Sequence, residues 1–173
     1  MKSFFGIPAH PLLVHIPAVL LPLAAIGVVF MVIKPVWHQR YRWAVLSIGF
    51  AGTIGAILAA QAGESLEEKI VAKEGIAAAA GWEDHAASGE TARLFAIIFF
   101  ILLALFILIP WFVERRAATS TPMVVPKWAT VLLAVLVLAG SAGSVITVIL
   151  AGHSGAKSVW CETNTPPNCE GDG

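Results

Sequence analysis

Residues 92–113 read ARLFAIIFFILLALFILIPWFV, and this stretch decides the fold. A bilayer span needs about 20 consecutive, mostly apolar residues. Three more stretches meet the same requirement: Leu12–Ile33, Trp43–Ala62 and Trp128–Leu150. Of the 173 residues, 58% are hydrophobic and 13% charged, against about 25% charged in soluble domains. The mean hydropathy is +0.82. Backbone groups in hydrocarbon must be satisfied within their own segment, so apolar runs of this length are helices. The expected fold is all-α: one domain over 1–160, an integral membrane bundle of four transmembrane helices near 12–33, 43–62, 84–113 and 128–152.

The charges orient the bundle. Lys34, Arg40 and Arg42 lie between the first two spans, and Arg115, Arg116 and Lys127 between the last two. Short loops rich in Lys and Arg stay in the cytoplasm. Ten of the eleven acidic residues lie in the middle loop and the C-terminal tail, Glu114 being the exception. Both termini are therefore expected on the outer side, with Lys2 arguing weakly the other way. The first segment is too long for a signal peptide and lacks a small-residue cleavage site, so it is read as a retained helix. Formal net charge is zero. With the basic residues at the inner surface, nucleic-acid binding has no support.

Local signals fill in the rest. Residues 1–9 form a short outer leader. Pro11 suits a first helical turn, whereas Pro17 and Pro22 should kink the first helix or free backbone carbonyls. Trp37, Tyr41 and Trp43 make an aromatic belt in the first loop. Gly49, Gly52, Gly55, Ala56, Ala59, Ala60 and Gly63 give the second helix a smooth small-residue face, for close helix packing or for a flat cofactor. Ser65 and Glu68 read as a capping box opening a short surface helix with Leu66, Ile70 and Val71 on its apolar side. Asp84 is a cap for the third helix, which then projects about two turns beyond the bilayer. Cys161 and Cys169 lie in the tail, 161–173; on an oxidising outer side they are expected to form a disulfide. No Cys-x-x-Cys-His occurs, which disfavours covalent haem attachment.

Four of the five histidines fall at one edge of this bundle. His10 and His15 open the first span, His85 stands ahead of the third and His153 closes the fourth. Alternating spans bring those places together. His38, in the basic loop, is read as an ordinary exposed residue. His10 and His15 are five apart and share no helix face, so ligands from different helices are the better pairing. A haem iron with two axial imidazoles needs one histidine on each face of the ring, and His15 opposite His85 or His153 meets that need. Gly52, Gly55, Gly140 and Gly143 would make room for the ring. Zinc or copper needs three or four converging ligands, with Glu64, Asp84 and Glu90 as available carboxylates. No Ser-His-Asp or His-Glu-x-x-His arrangement supports hydrolysis, and a proton or ion pump lacks the mid-membrane charges it requires.

The opening His10-Pro11-Leu12-Leu13-Val14-His15-Ile16-Pro17 resembles the His-Pro-x-x-Val-His-Phe-Pro start of a bacterial family of four-helix membrane proteins, catalogued as domain of unknown function 2231. The small-residue helix ending Gln61-Ala62-Gly63-Glu64 and the closing stretch Gly152-His153-Ser154-Gly155-Ala156 are similar to that family's, and His85 matches a histidine it often carries. Ile16, Ser158 and Trp160 depart from its usual Phe, Leu and Tyr. The resemblance implies a bacterial inner-membrane location. It also implies redox partners of the Rieske or cytochrome type, since members are often fused to or encoded beside such domains. Three functions stay open. One is a b-type haem protein, with one or two haems, passing electrons between an outer partner and membrane quinone as a subunit of a redox complex rather than a stand-alone enzyme. The others are a cofactor-free accessory subunit of a respiratory or photosynthetic complex, and a zinc or copper protein.

Overall fold

The computed structural model describes residues 9–74, 83–117 and 125–163. Every element in them is helical: α1 (Ala9–Leu13), α2 (His15–Ile33), α3 (Pro35–Glu74), α4 (Glu83–Ala117) and α5 (Lys127–Thr163). Four stretches, His10–Ile33, Pro35–Lys73, Asp84–Arg116 and Lys127–Lys157, are long and apolar enough to cross a membrane. The chain is an all-α membrane protein of four spanning helices.

Proline sets two of the boundaries. Pro17 has no N–H for the Leu13 carbonyl, and its ring crowds that carbonyl. The first span accordingly breaks at Val14, which separates α1 from α2. Pro22 interrupts nothing; α2 runs through it. Pro35 forces the residue before it out of the helical region. Lys34 is extended (φ −128°, ψ 104°), so a single residue joins α2 to α3. Trp37, Tyr41 and Trp43 therefore belong to the first turns of α3 rather than to a loop. The basic side chains there cover the rings, with Lys34 5.0 Å from Trp37 and Arg115 4.6 Å from Trp111.

The helices outrun their apolar stretches. At about 1.5 Å per residue, α3, α4 and α5 (40, 35 and 37 residues) each exceed a hydrocarbon core of about 30 Å. The capping box expected at Ser65 does not form. Ser65 Oγ donates to the Gln61 carbonyl within a continuous α3 (2.9 Å), because nothing between Ala62 and Ser65 breaks the helix. The helix expected to start at Asp84 starts one residue earlier, at Glu83.

α2 packs on α3, α3 on α4, α4 on α5, and α5 returns to α2. Leu21, Val28, Phe99, Leu103, Ile107 and Val137 fill the centre. Small residues let the backbones approach closely. The four glycines expected to leave room for a cofactor ring are already filled by neighbouring side chains. An added Cβ would stand 3.0 Å from Leu21 at Gly52, 2.4 Å from Ile16 at Gly55, 2.8 Å from Leu102 at Gly140 and 2.6 Å from Phe95 at Gly143. They are helix-packing positions. Thr53 ties the bundle polarly: its buried hydroxyl lies within hydrogen-bond distance of the Gly49 carbonyl (2.9 Å) and the Ala96 carbonyl of α4 (3.2 Å). Large apolar side chains such as Val19, Ile26, Val131 and Ile149 face outward, where lipid replaces water.

Candidate functional site: a histidine pair in an apolar cavity

α1, the start of α2, the far part of α3, the start of α4 and the far part of α5 meet at one end of the bundle around a cavity of about 690 Å³. Most of its wall is alanine and glycine, including Ala56, Ala59, Ala87, Ala92, Ala151 and Ala156. The small-residue runs thus serve twice: deep in the bundle they seat neighbouring helices, and near this end they leave open space.

His10 and His85 meet in that cavity, their ring centroids 5.8 Å apart and their planes at 77°. Each rests against a glycine of another helix. The His10 ring lies 3.2 Å from where a Cβ would stand on Gly63, and the His85 ring 2.7 Å from the same position on Gly155. Larger residues at 63 and 155 would displace the rings. Both imidazoles are anchored through Nδ1. His10 Nδ1 lies 2.8 Å from the Ala59 carbonyl. A carbonyl only accepts, so Nδ1 carries the proton and Nε2 the lone pair. His85 Nδ1 lies 3.1 Å from Ser154 Oγ, whose own proton goes to the Ala151 carbonyl at 3.0 Å. The His85 ring also hydrogen-bonds the Ala151 backbone, so Ser154 and Ala151 of α5 both hold it.

The other histidines stand apart from this pair. His15 is exposed at the cavity rim, and its Nδ1 donates to the Pro11 carbonyl one turn back (2.7 Å). His153 is exposed and does not line the cavity. The reason is helical phase: Ala151 and Gly155 are four apart and share the inner face, while His153, two residues from each, points away. At the opposite end His38 is half-buried rather than exposed, its ring edge-on to Phe106 at 5.1 Å. The long first turns of α3, where a loop was expected, carry it against α4.

Charge enters through Arg93. Its guanidinium bonds Glu64 of α3 (3.2 Å) and Glu90 one turn back on α4 (2.7 Å). All three residues line the cavity. Two of the carboxylates offered by the sequence as metal ligands are thus engaged with a cation. Among the described residues no group of three or more His, Cys, Asp or Glu converges as a metal site. Cys161 lies in the last turns of α5 rather than in a loop beyond it. Its side chain and Cys169, and with them the expected disulfide, fall outside the described residues.

Two imidazoles bound to one metal centre through bonds of about 2.0–2.1 Å have their centroids roughly 6 Å apart. The observed 5.8 Å suits such a pair. Backbone carbonyls or hydroxyls holding the other ring nitrogen are the usual outer partners of ligating histidines. A bare ion needs no cavity of this size, whereas a flat apolar group does.

A family model described as "Predicted membrane protein (DUF2231)" matches residues 6–164. No curated protein and no solved structure matches the chain.

Proposed function

The chain belongs to the DUF2231 family of predicted membrane proteins, and we propose that it is a b-type haem electron-transfer protein in which His10 and His85 would hold the haem iron. The observation that carries this reading is the meeting of two imidazoles from different helices, 5.8 Å apart, in an alanine-lined cavity. Of the four histidines at this end, only these two bring their rings together in it.

The side chains have separate tasks. The Ala59 carbonyl fixes the His10 tautomer and ring orientation, and leaves Nε2 as the ligating atom. Ser154 and the Ala151 backbone hold the His85 ring from the facing helix. Gly63 and Gly155 allow both rings to lie against the helices. The alanine and glycine walls make most of the lining apolar. Bound haem supplies a one-electron couple whose potential its ligands, their hydrogen bonds and its burial set.

Arg40, Arg42, Arg115 and Arg116 gather at the other end, which by the positive-inside rule supports a cavity on the outer side of a bacterial inner membrane. Electrons would then pass between an outer redox partner and the quinone pool, within a larger complex of Rieske or cytochrome type. Cys161 and Cys169 would be bridged in the same oxidising compartment. The zinc or copper reading is weaker, because Glu64 and Glu90 are held by Arg93. A cofactor-free accessory subunit gives no reason for an open, histidine-lined cavity.

The test is a reduced-minus-oxidised visible spectrum of detergent-purified protein from haem-replete cells, with a pyridine haemochrome assay. A b-type α-band at one haem per chain is expected. A colourless protein that co-purifies with larger partners would favour the accessory role.

A further inference from the structure

Arg93 is the only lysine or arginine in the described cavity wall. Its backbone lies inside the apolar run of α4, and its long side chain reaches back to Glu64 and Glu90 at the histidine end. Glu64 directly follows Gly63, against which the His10 ring packs. The guanidinium therefore ends near the level of the imidazole pair, on the seam between α3 and α4.

The two carboxylates hold it unequally. The bond to Glu90 is 2.7 Å and comes from the same helix, whereas the one to Glu64 is 3.2 Å and crosses from α3; both carboxylates are about equally exposed. Five N–H donors in a rigid fork suit a carboxylate that can bind two of them at once. A ligand carboxylate arriving from the cavity would meet one cation and three glutamates, Glu64, Glu67 and Glu90. It can be held there only by taking the place of the weaker partner.

We infer that Arg93 is a specificity-determining residue of the cavity: it selects a ligand bearing an acid group, which exchanges with Glu64 on the guanidinium. This rests on the haem reading above, with the acid group then being a haem propionate.

Two probes separate the ideas: iron protoporphyrin with free propionates, and its dimethyl ester, each titrated spectrally into full-length protein in detergent. Wild type is expected to bind the free acid more tightly than the ester; the full gain of one charge-assisted hydrogen bond, roughly tenfold or more, is expected where no carboxylate has to be displaced, in Glu64→Gln. Arg93→Gln should erase that preference while still binding the ester, and Glu64→Gln should increase it. Equal binding of acid and ester by wild type overturns the role of Arg93 and leaves the haem reading standing, as does a preference surviving in Arg93→Gln. Binding of neither probe overturns the haem reading, and with it this one.

Discussion

Gly155 and Gly152 lie three residues apart in α5 and offer a controlled test of how the histidine site is built. Replacing either by alanine gains about 0.5–1 kcal/mol of helical preference. At Gly152 nothing stands within 4 Å of an added Cβ, so the gain is uncompensated. At Gly155 the Cβ lands 2.7 Å from His85 Cε1 and 3.1 Å from Nδ1. Ordinary contact begins at 3.4 Å, so the ring must retreat by about 0.7 Å (3.4 − 2.7). It cannot do so freely: Ser154 holds Nδ1 at 3.1 Å and the His10 ring is in contact with it. Overpacking of this kind costs about 1–3 kcal/mol. Helical preference cancels in the comparison, so Gly155→Ala should be less stable than Gly152→Ala by about 1–3 kcal/mol. The assay is unfolding by SDS titration in mixed micelles. Adding His85→Ala to each variant should remove the difference, which makes the pair a double-mutant cycle. Equal stability of the two glycine variants, within about 0.5 kcal/mol, would refute the packing of His85 on Gly155.

Other substitutions probe separate parts of the fold. His10→Ala removes the only side-chain hydrogen bond described between α1 and α3 and should cost about 1 kcal/mol in the same titration, together with the haem spectrum. His153→Ala should leave both unchanged, because the residue is exposed and outside the cavity; a lost α-band would show that it ligates. Thr53→Val should cost about 0.6 kcal/mol, the mean for such hydrogen bonds between membrane helices, with the α3–α4 seam opening first in hydrogen exchange. Ser144 is fully buried, with no hydrogen-bond partner for Oγ among the described residues. Ser144→Ala should therefore stabilise, or leave stability unchanged, since it removes a desolvated hydroxyl.

The spans were legible because bilayer thickness demands long apolar runs, and 92–113 can be read no other way. Helix ends were not, because nothing apolar marks where a helix stops once it leaves the lipid; α3 runs on past Ala62 with no breaker. Only the prolines wrote ends plainly, at Lys34 and Val14. The gathering of histidines at one end followed from alternating spans, but their pairing depends on rotation about each helix. That phase joins His10 to His85 and turns His153 outward. The glycines that matter to the site are Gly63, part of the small-residue face read in the second helix, and Gly155, part of the closing stretch; which histidine each would meet depends on helix rotation. Arg93 was passed over, although Glu90 three residues before it on a helix is a recognisable ion-pair spacing.

The most direct test of the histidine pair is low-temperature electron paramagnetic resonance of the oxidised, detergent-purified protein and its single-histidine variants. Two axial imidazoles predict a low-spin ferric signal that turns high-spin, or disappears, in both His10→Ala and His85→Ala and persists in His153→Ala. A low-spin signal that survives loss of His10 or His85, or the absence of any ferric haem signal in the wild type, would contradict the assignment.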